Sequence, residues 1–196
     1  MPEDSREIKA ALTAGARAWA EYPYLEKRFG ERGHRFTNSD SCWLATLHES
    51  TQDEADRQVH WLAGILANRG IPTVILISHL ELLFEELARA VPPRKESYER
   101  LKQSANMLLK LRRKVLSDSV FKKISTAFNQ ELEKFPFLPA NSGPVLLSSF
   151  TDDVNGINLQ LEAVPEWFKK EWIKDSALAE KFDNIVSAAF NSNYGK

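Results

Sequence analysis

"TVILISHLELLFEELARA", residues 73–90, is the stretch of the chain that decides the fold. Spaced at about 100° per residue, its apolar side chains cover well over half of the helix circumference. They are Ile75, Leu76, Ile77, Leu80, Leu82, Leu83, Phe84 and Leu87. A helix that is apolar on most sides packs inside a protein rather than on its surface. The pattern therefore predicts an all-α fold, a compact multi-helix bundle in which 73–90 is the central helix.

Helical patterns also fill most of the chain on either side of this stretch. Apolar residues recur at helical spacing over the ranges 5–22, 52–68, 95–116, 119–134, 165–174 and 176–190. Asp4 with Glu7, and Thr51 with Glu54, have the spacing of capping boxes, in which the second side chain reaches back to the start of the helix. These two signals predict where two of the helices begin.

Residues 145–162 carry the one strand signal in the chain. Asn155 and Gly156 lie between Val154 and Ile157, and an Asn-Gly pair in that position is typical of a β-hairpin turn. Ser142 followed by Pro144 is equally compatible with the start of a helix. The sequence therefore leaves a short β-hairpin near 145–162 and a helix as alternatives.

The length of the chain, 196 residues, fits a single helical domain, 1–196. The segment 135–144 contains three prolines and one glycine, a composition typical of linkers. It is a candidate linker between a main bundle, 1–134, and a C-terminal helical appendage, 145–196.

Composition and the N-terminal sequence argue against several classes of protein. A single cysteine, Cys42, provides neither an internal disulfide nor a cysteine-based zinc site, and it favours a reducing compartment. The N-terminal "MPEDSREIKA" lacks the apolar core of a signal peptide. The longest apolar run, "VILI" at 74–77, is far shorter than the ~20 residues of a membrane helix. We expect a cytoplasmic protein without membrane association.

Charge is unevenly distributed although the net charge is only −1. Residues 94–123 contain ten Lys and Arg against three Asp and Glu, whereas 40–91 contain three against eight. The first segment places a basic stripe along the predicted helix 95–116, but no nucleic-acid-binding motif accompanies it. The pattern does not favour nucleic acid as a partner. It favours a protein, and it leaves a homo-oligomer open.

The stretch "KRFGERGHRF", residues 27–36, is rich in cations and glycine. Gly30 and Gly33 could bring backbone amides close to an anion, and Arg28, Arg32 and Arg35 could bind it. The stretch does not match a phosphate-binding motif, however.

The alternative is a loop that the protein itself orders. Phe29 and Phe36 would anchor it in the core, its arginines would pair with carboxylates of 40–91, and a short helix would follow from Ser39 or Asp40. We favour this alternative.

His79 lies near the apolar face of the predicted central helix. A haem ligand or a catalytic base could occupy such a position, and so could a core histidine that is hydrogen-bonded to a neighbouring carbonyl. The histidines show no metal-binding spacing and no C-x-x-C-H motif, so the sequence favours the core histidine and predicts no metal site.

His60 and Trp61 lie opposite the apolar stripe of the predicted helix 52–68. Either this helix is buried on two sides, or its far face binds a partner, for which an exposed tryptophan is well suited. We favour burial on two sides in a chain of this size.

No catalytic constellation is recognisable in the sequence, so we expect a non-catalytic, all-α interaction or regulatory module without a cofactor. The first alternative is a helical ligand-binding sensor with an apolar pocket beside His79, which haem or another flat apolar molecule could fill. The second is an enzyme whose reaction the sequence does not identify. The candidate binding residues are His79, His60, Trp61, Arg28, Arg32 and Arg35.

Overall fold

The computed structural model of the protein describes residues 1–132, 135, 138–157, 164–173 and 175–191. Its α-helices are α1 (Ser5–Glu21), α2 (Pro23–Ala45), α3 (Gln52–Asn68), α4 (Thr73–Ala90), α5 (Lys95–Val115), α6 (Asp118–Leu132), α7 (Ser142–Val154), α8 (Pro165–Trp172) and α9 (Ser176–Asn191). Two 3-10 helices, Thr46–Glu49 and Pro92–Arg94, follow α2 and α4. The described residues contain no β-strand. The predicted all-α class is confirmed.

Helix α4 has the bounds that its apolar pattern predicts. It packs most extensively against α1 and α5, and it also contacts α2, α3 and α7. Leu80, Leu83 and Leu87 are completely buried at these contacts. The start of α3 also follows the sequence, since the Thr51 hydroxyl accepts a hydrogen bond from the Glu54 amide.

The N-terminus of α4 is capped by side chains of α7. Pro72 precedes the helix and provides no side-chain cap. The Asp152 carboxyl group instead accepts the Thr73 amide (2.8 Å) and the Thr73 hydroxyl (2.5 Å), and Ser148 Oγ accepts the Val74 amide (3.0 Å). These bonds satisfy amides that would otherwise lack a partner in the first turn. Burial raises the pKa of Asp152 to about 7, although the two hydrogen bonds from Thr73 lower it.

Of the two alternatives for 145–162, the β-hairpin is not found over the part that the structure describes, because α7 continues to Val154. Asn155 and Gly156 end this helix. Gly156 has a φ of +68°, and the Ile157 amide donates to the Asp152 carbonyl at 2.9 Å. This is the Schellman arrangement of a helix C-terminus. The glycine of an Asn-Gly pair permits the positive φ that either a hairpin turn or a helix C-terminus requires, and here it ends a helix. Residues 158–163 lie outside the described part.

Residues on both sides of the candidate linker share an apolar cluster. Trp19 and Ile75 belong to this cluster, as do Phe135, Val145 and Phe168. The Asn141 side chain also donates to the Glu21 carbonyl at the end of α1 (2.7 Å). The division into a main bundle and an appendage stays a prediction.

Glu7 is not part of the capping box that the sequence predicts. Asp4 does cap α1 by accepting the Arg6 amide, but the Glu7 side chain is only 2% exposed and lies in the core. There it accepts hydrogen bonds from the Tyr98 hydroxyl and from Arg94 (2.8 Å), and His48 Nε2 lies 3.5 Å away. This buried carboxyl group joins α1 to α5 and to both 3-10 helices.

Candidate functional site

The glycine- and arginine-rich stretch at 27–36 is part of α2 rather than a loop, so this prediction is wrong. Helical geometry is interrupted only at Gly30, where φ is +50° and ψ is −149°. A side chain disfavours positive φ, and glycine permits the kink. Helical residues continue on both sides, so Ser39 and Asp40 lie inside α2 instead of beginning a short helix.

The Trp19 indole packs tightly against α2. Its Nε1 donates to Thr37 Oγ1 (2.9 Å), and the His34 ring stacks on it with 3.6 Å between centroids. His34 is oriented in turn by Glu26, with 2.6 Å between Nε2 and Oε2. A Cβ at Gly33 would lie only 2.7 Å from the indole. Glycine is therefore needed at this position for α1 and α2 to approach.

Arg28 is held from several sides. Its Nη1 donates to the Tyr24 hydroxyl (2.5 Å), which donates to the Gly70 carbonyl (2.7 Å). Its guanidinium lies 5.2–5.8 Å from the ring centroids of Tyr24, Phe29 and Trp167. A Cβ at Gly70 would overlap the guanidinium. Burial raises the pKa of Tyr24 to about 12, and the nearby Arg28 opposes this shift. Arg28 therefore has a fixed position.

A cavity of about 490 Å³ opens beside Arg28, and we call it the arginine groove. Its lining consists of Trp19, Leu25, Arg28, Phe29, Arg32, Gly33, Phe36, Thr37, Leu66, Arg69 and Ile71. The walls are mainly aromatic and aliphatic, and the charged lining residues are all arginines. Phe36 is 49% exposed at this cavity, so it does not anchor α2 in the core as the sequence predicts.

Arg32 and Arg69 have exposed guanidinium groups at the arginine groove. Arg32 stacks on Phe36, 5.6 Å from the ring centroid. Neither arginine forms an ion pair with any residue that the structure describes, and the same holds for Arg35, which does not line the groove. The predicted pairing of Arg32 and Arg35 with carboxylates of 40–91 is therefore not found. Arg69 nevertheless lowers the pKa of Asp40, which burial raises more strongly.

His79 lines a separate cavity of about 40 Å³, which shares Trp19, Thr37 and several aliphatic residues with the arginine groove. The histidine is buried, and its Nε2 lies 3.0 Å from Ser41 Oγ. Burial lowers the pKa of His79 to about 4, so its ring is neutral at physiological pH. The cavity is far smaller than the several hundred Å³ that a flat ligand such as haem occupies.

Trp61 is 61% exposed, so α3 is not buried on two sides as the sequence analysis favours. Its ring meets the half-buried Trp43 ring edge to face, with 6.3 Å between centroids. Beside it lies a hollow of about 560 Å³. Its lining, which we call the Trp61 face, consists of His60, Trp61, Gly64, Ile65, Asn68, Arg69, Gly156 and Ile157.

Other chemistry is sparse in the part of the chain that the structure describes. No group of three or more His, Cys, Asp or Glu side chains there could hold a metal ion. The basic stripe of α5 is exposed, and one of its lysines, Lys102, lies 5.5 Å from the Phe84 ring centroid. None of the helices in these described residues combines the length and the hydropathy needed to cross a membrane.

Five of the six predicted site residues thus fall into three places, and Arg35 lines none of the three. Arg28 and Arg32 meet at the arginine groove, His60 and Trp61 share the Trp61 face, and His79 lines the small inner cavity. The sequence analysis missed Trp19 and Arg69, which meet Arg32 only through tertiary packing. Trp19 has the spacing of a core residue in α1, and Arg69 precedes a helix-ending glycine, so neither carries a local signal.

Comparison of the chain with protein-family models, with curated protein sequences and with solved structures finds no match in any of the three.

Proposed function

We propose that the protein is a non-catalytic interaction module, a compact helical bundle around α4 that binds another protein through the Trp61 face. The observation that carries the proposal is the 61% exposure of Trp61. Tryptophan is among the residues most enriched at the energetic centre of protein interfaces. Covering an aromatic ring buries on the order of 100 Å² or more, which contributes about 3 kcal/mol of hydrophobic free energy.

The surroundings of Trp61 suit an interface. The Trp43 ring packs edge to face against the exposed Trp61 ring. Because this contact already restricts the Trp61 side chain, binding costs little additional side-chain entropy. Gly64 leaves the adjacent hollow open, since the nearest atom to a Cβ at this position would be the Ile157 carbonyl oxygen at 3.9 Å. An apolar side chain of the partner fits beside Trp61 and Ile65, which both line the hollow.

The charges of the Trp61 face indicate the chemistry of the partner. His60 and Arg69 are its titratable groups, and no carboxylate lines the described hollow. An acidic protein segment that also carries an apolar anchor is complementary to this surface. The proposed partner is therefore an acidic, amphipathic helix of another protein.

Fluorine NMR of the protein labelled with 5-fluorotryptophan tests the proposal. The chain has five tryptophans, and Trp61→Phe assigns the signal of the proposed anchor. Two synthetic helical peptides serve as probes, with the same leucine spacing but with glutamates in one and lysines in the other. The acidic peptide should shift the Trp61 signal and bind at least tenfold more tightly than the basic one.

Variants separate specific binding from a general apolar contact. Trp61→Ala should abolish binding of the acidic peptide without changing the melting temperature, because the side chain is mostly exposed. Leu12→Ala, which removes an apolar side chain 40% exposed on α1, is the matched control and should leave binding unchanged. Equal binding of both peptides, or none at millimolar concentration, would contradict the proposal. A shift of the signal with protein concentration alone would identify a second copy as the partner.

A helical ligand-binding sensor is the second candidate function, and the arginine groove supports it better than the cavity beside His79. Its volume of about 490 Å³ lies within the range of small-molecule sites. Haem stays an untested alternative, and the visible absorbance spectrum of protein purified from cells checks it.

A further inference from the structure

We infer that the arginine groove binds a small amphipathic anion, a molecule with an apolar body and a carboxylate or phosphate head group. This ligand site shares Arg69 with the proposed protein interface but differs from it otherwise, because the groove is lined by residues of α1 and α2 that the Trp61 face does not include.

The apolar walls of the groove account for the body of the ligand. Leu25, Leu66 and Ile71 contribute aliphatic surface, and Trp19 and Phe29 contribute aromatic surface. Shielding such surface from water is favourable in proportion to its area. The volume of about 490 Å³ accommodates a molecule of ordinary metabolite or drug size.

The walls of the groove are held in place by contacts within the protein. The Trp19 indole donates a hydrogen bond to Thr37, and the His34 ring stacks on the indole. Gly33 lets the indole lie against the helix backbone. A preformed wall lowers the entropy that a ligand must overcome on binding.

The arginines account for the charge of the head group. Arg32 and Arg69 line the groove and form no ion pair with a residue that the structure describes. A guanidinium group offers a planar fork of N–H donors that matches the oxygens of a carboxylate or phosphate. Arg28 adds a third positive charge from a fixed position against Tyr24. A neutral apolar ligand would leave the guanidinium donors of Arg32 and Arg69 without an anionic partner.

The carboxylate of Asp40 lies near this arrangement. It lines the small inner cavity and is near enough to Arg69 for the guanidinium to lower its pKa. An anionic head group on Arg69 therefore competes with Asp40, so the side chain of Arg32 is the cleaner test of head-group binding.

Isothermal titration with three probes of equal chain length tests the inference: decanoate, decyl phosphate and decanol. We expect at least one of the two anions to bind tenfold or more tightly than decanol, and the better anion identifies the head group. Arg32→Ala should weaken that binding about tenfold or more, which is the usual effect of removing a charged hydrogen-bond donor.

Arg35→Ala is the matched control, because it removes an exposed arginine of the same helix that does not line the groove. It should leave binding unchanged. Equal affinity for decanol and both anions, equal losses in Arg32→Ala and Arg35→Ala, or no binding at millimolar concentration would each overturn the inference. Trp61→Ala should not affect decanoate or decyl phosphate, so this site and the proposed protein interface can fail independently. Circular dichroism verifies that each variant is folded.

Discussion

Replacing Asp152 by asparagine should change how the stability of the protein depends on pH. In the structure this buried carboxyl group accepts the amide and the hydroxyl of Thr73 at the start of α4. Asparagine has nearly the same shape, and its carbonyl oxygen can accept the Thr73 amide. Its NH₂ group can donate to the Thr73 hydroxyl, which can then donate to Ser148 Oγ, 3.3 Å away. The variant therefore resembles the protein with Asp152 protonated.

The expected pH dependence follows from the pKa of Asp152, which burial raises from 3.8 to about 7. Between these two values the folded protein binds a proton at Asp152 and the unfolded chain does not. Stability from this group is thus fully present below pH 3.8 and is lost as the pH rises through 7. At 1.36 kcal/mol for each pH unit, the loss over this window amounts to about 4 kcal/mol.

His79 has the opposite effect over part of the same window. Burial lowers its pKa from 6.5 to about 4, so between these values the unfolded chain binds the additional proton. Stability from His79 therefore rises by about 3 kcal/mol as the pH increases from 4 to 6.5. The two contributions largely cancel there in the natural protein, and Asp152→Asn should expose the rise due to His79.

Urea unfolding at several pH values from 4.5 to 8 measures the free energy of unfolding of the natural protein and of Asp152→Asn. Relative to the natural protein, Asp152→Asn should gain up to about 3 kcal/mol of stability between the acidic and the alkaline end, because the series samples the window only above pH 4.5. Asp53→Asn, which neutralises an exposed carboxylate of α3, should follow the natural profile. If Asp152→Asn is destabilised by the same amount at every pH, then Asp152 is ionised throughout. In that case the attraction between the carboxylate and the positive end of the α4 dipole would outweigh the free-energy cost of burying the charge.

Three further predictions concern stability, each measured as a free energy of unfolding in urea. Leu80→Ala should cost about 2–5 kcal/mol, because the side chain is completely buried in α4; a loss below about 1 kcal/mol would refute this packing. Phe36→Ala should cost less than about 1 kcal/mol, since the ring is 49% exposed, and a larger loss would place the ring in the core. Glu7→Ala should cost about 3 kcal/mol by leaving the buried Tyr98 hydroxyl without its acceptor, whereas a neutral outcome would show that water replaces the carboxylate.

The sequence predicts long amphipathic helices well and the positions of glycine poorly. The apolar pattern of 73–90 predicts a helix with the bounds of α4, because the need to bury its apolar side chains and their helical spacing both favour the same helix. Gly30 and Gly33 suggest a loop, yet one permits a kink within α2 and the other makes room for Trp19. Whether a glycine permits a kink or makes room for another side chain depends on neighbours that are distant in the sequence.

The candidate sites are predicted only in part, for a similar reason. His79 is buried and has a polar partner, as expected of a core histidine. The partner is the Ser41 hydroxyl of α2, however, and not a carbonyl group. The exposure of Trp61 depends on whether another helix covers α3, which periodicity does not reveal. The arginine groove brings together residues of three helices, and no local pattern links Trp19, Arg32 and Arg69 before the chain folds.

The cap on α4 has a consequence for the order in which the chain folds. Thr73 and its acceptor Asp152 are 79 positions apart in the sequence. At the usual pace of synthesis the ribosome produces Asp152 roughly 4–16 seconds after Thr73. During that interval the most apolar helix of the protein has an uncapped start and lacks its contacts with α7. A nascent chain that ends before Ser148 should therefore keep this helix dependent on chaperones, and release from them should coincide with the docking of α7.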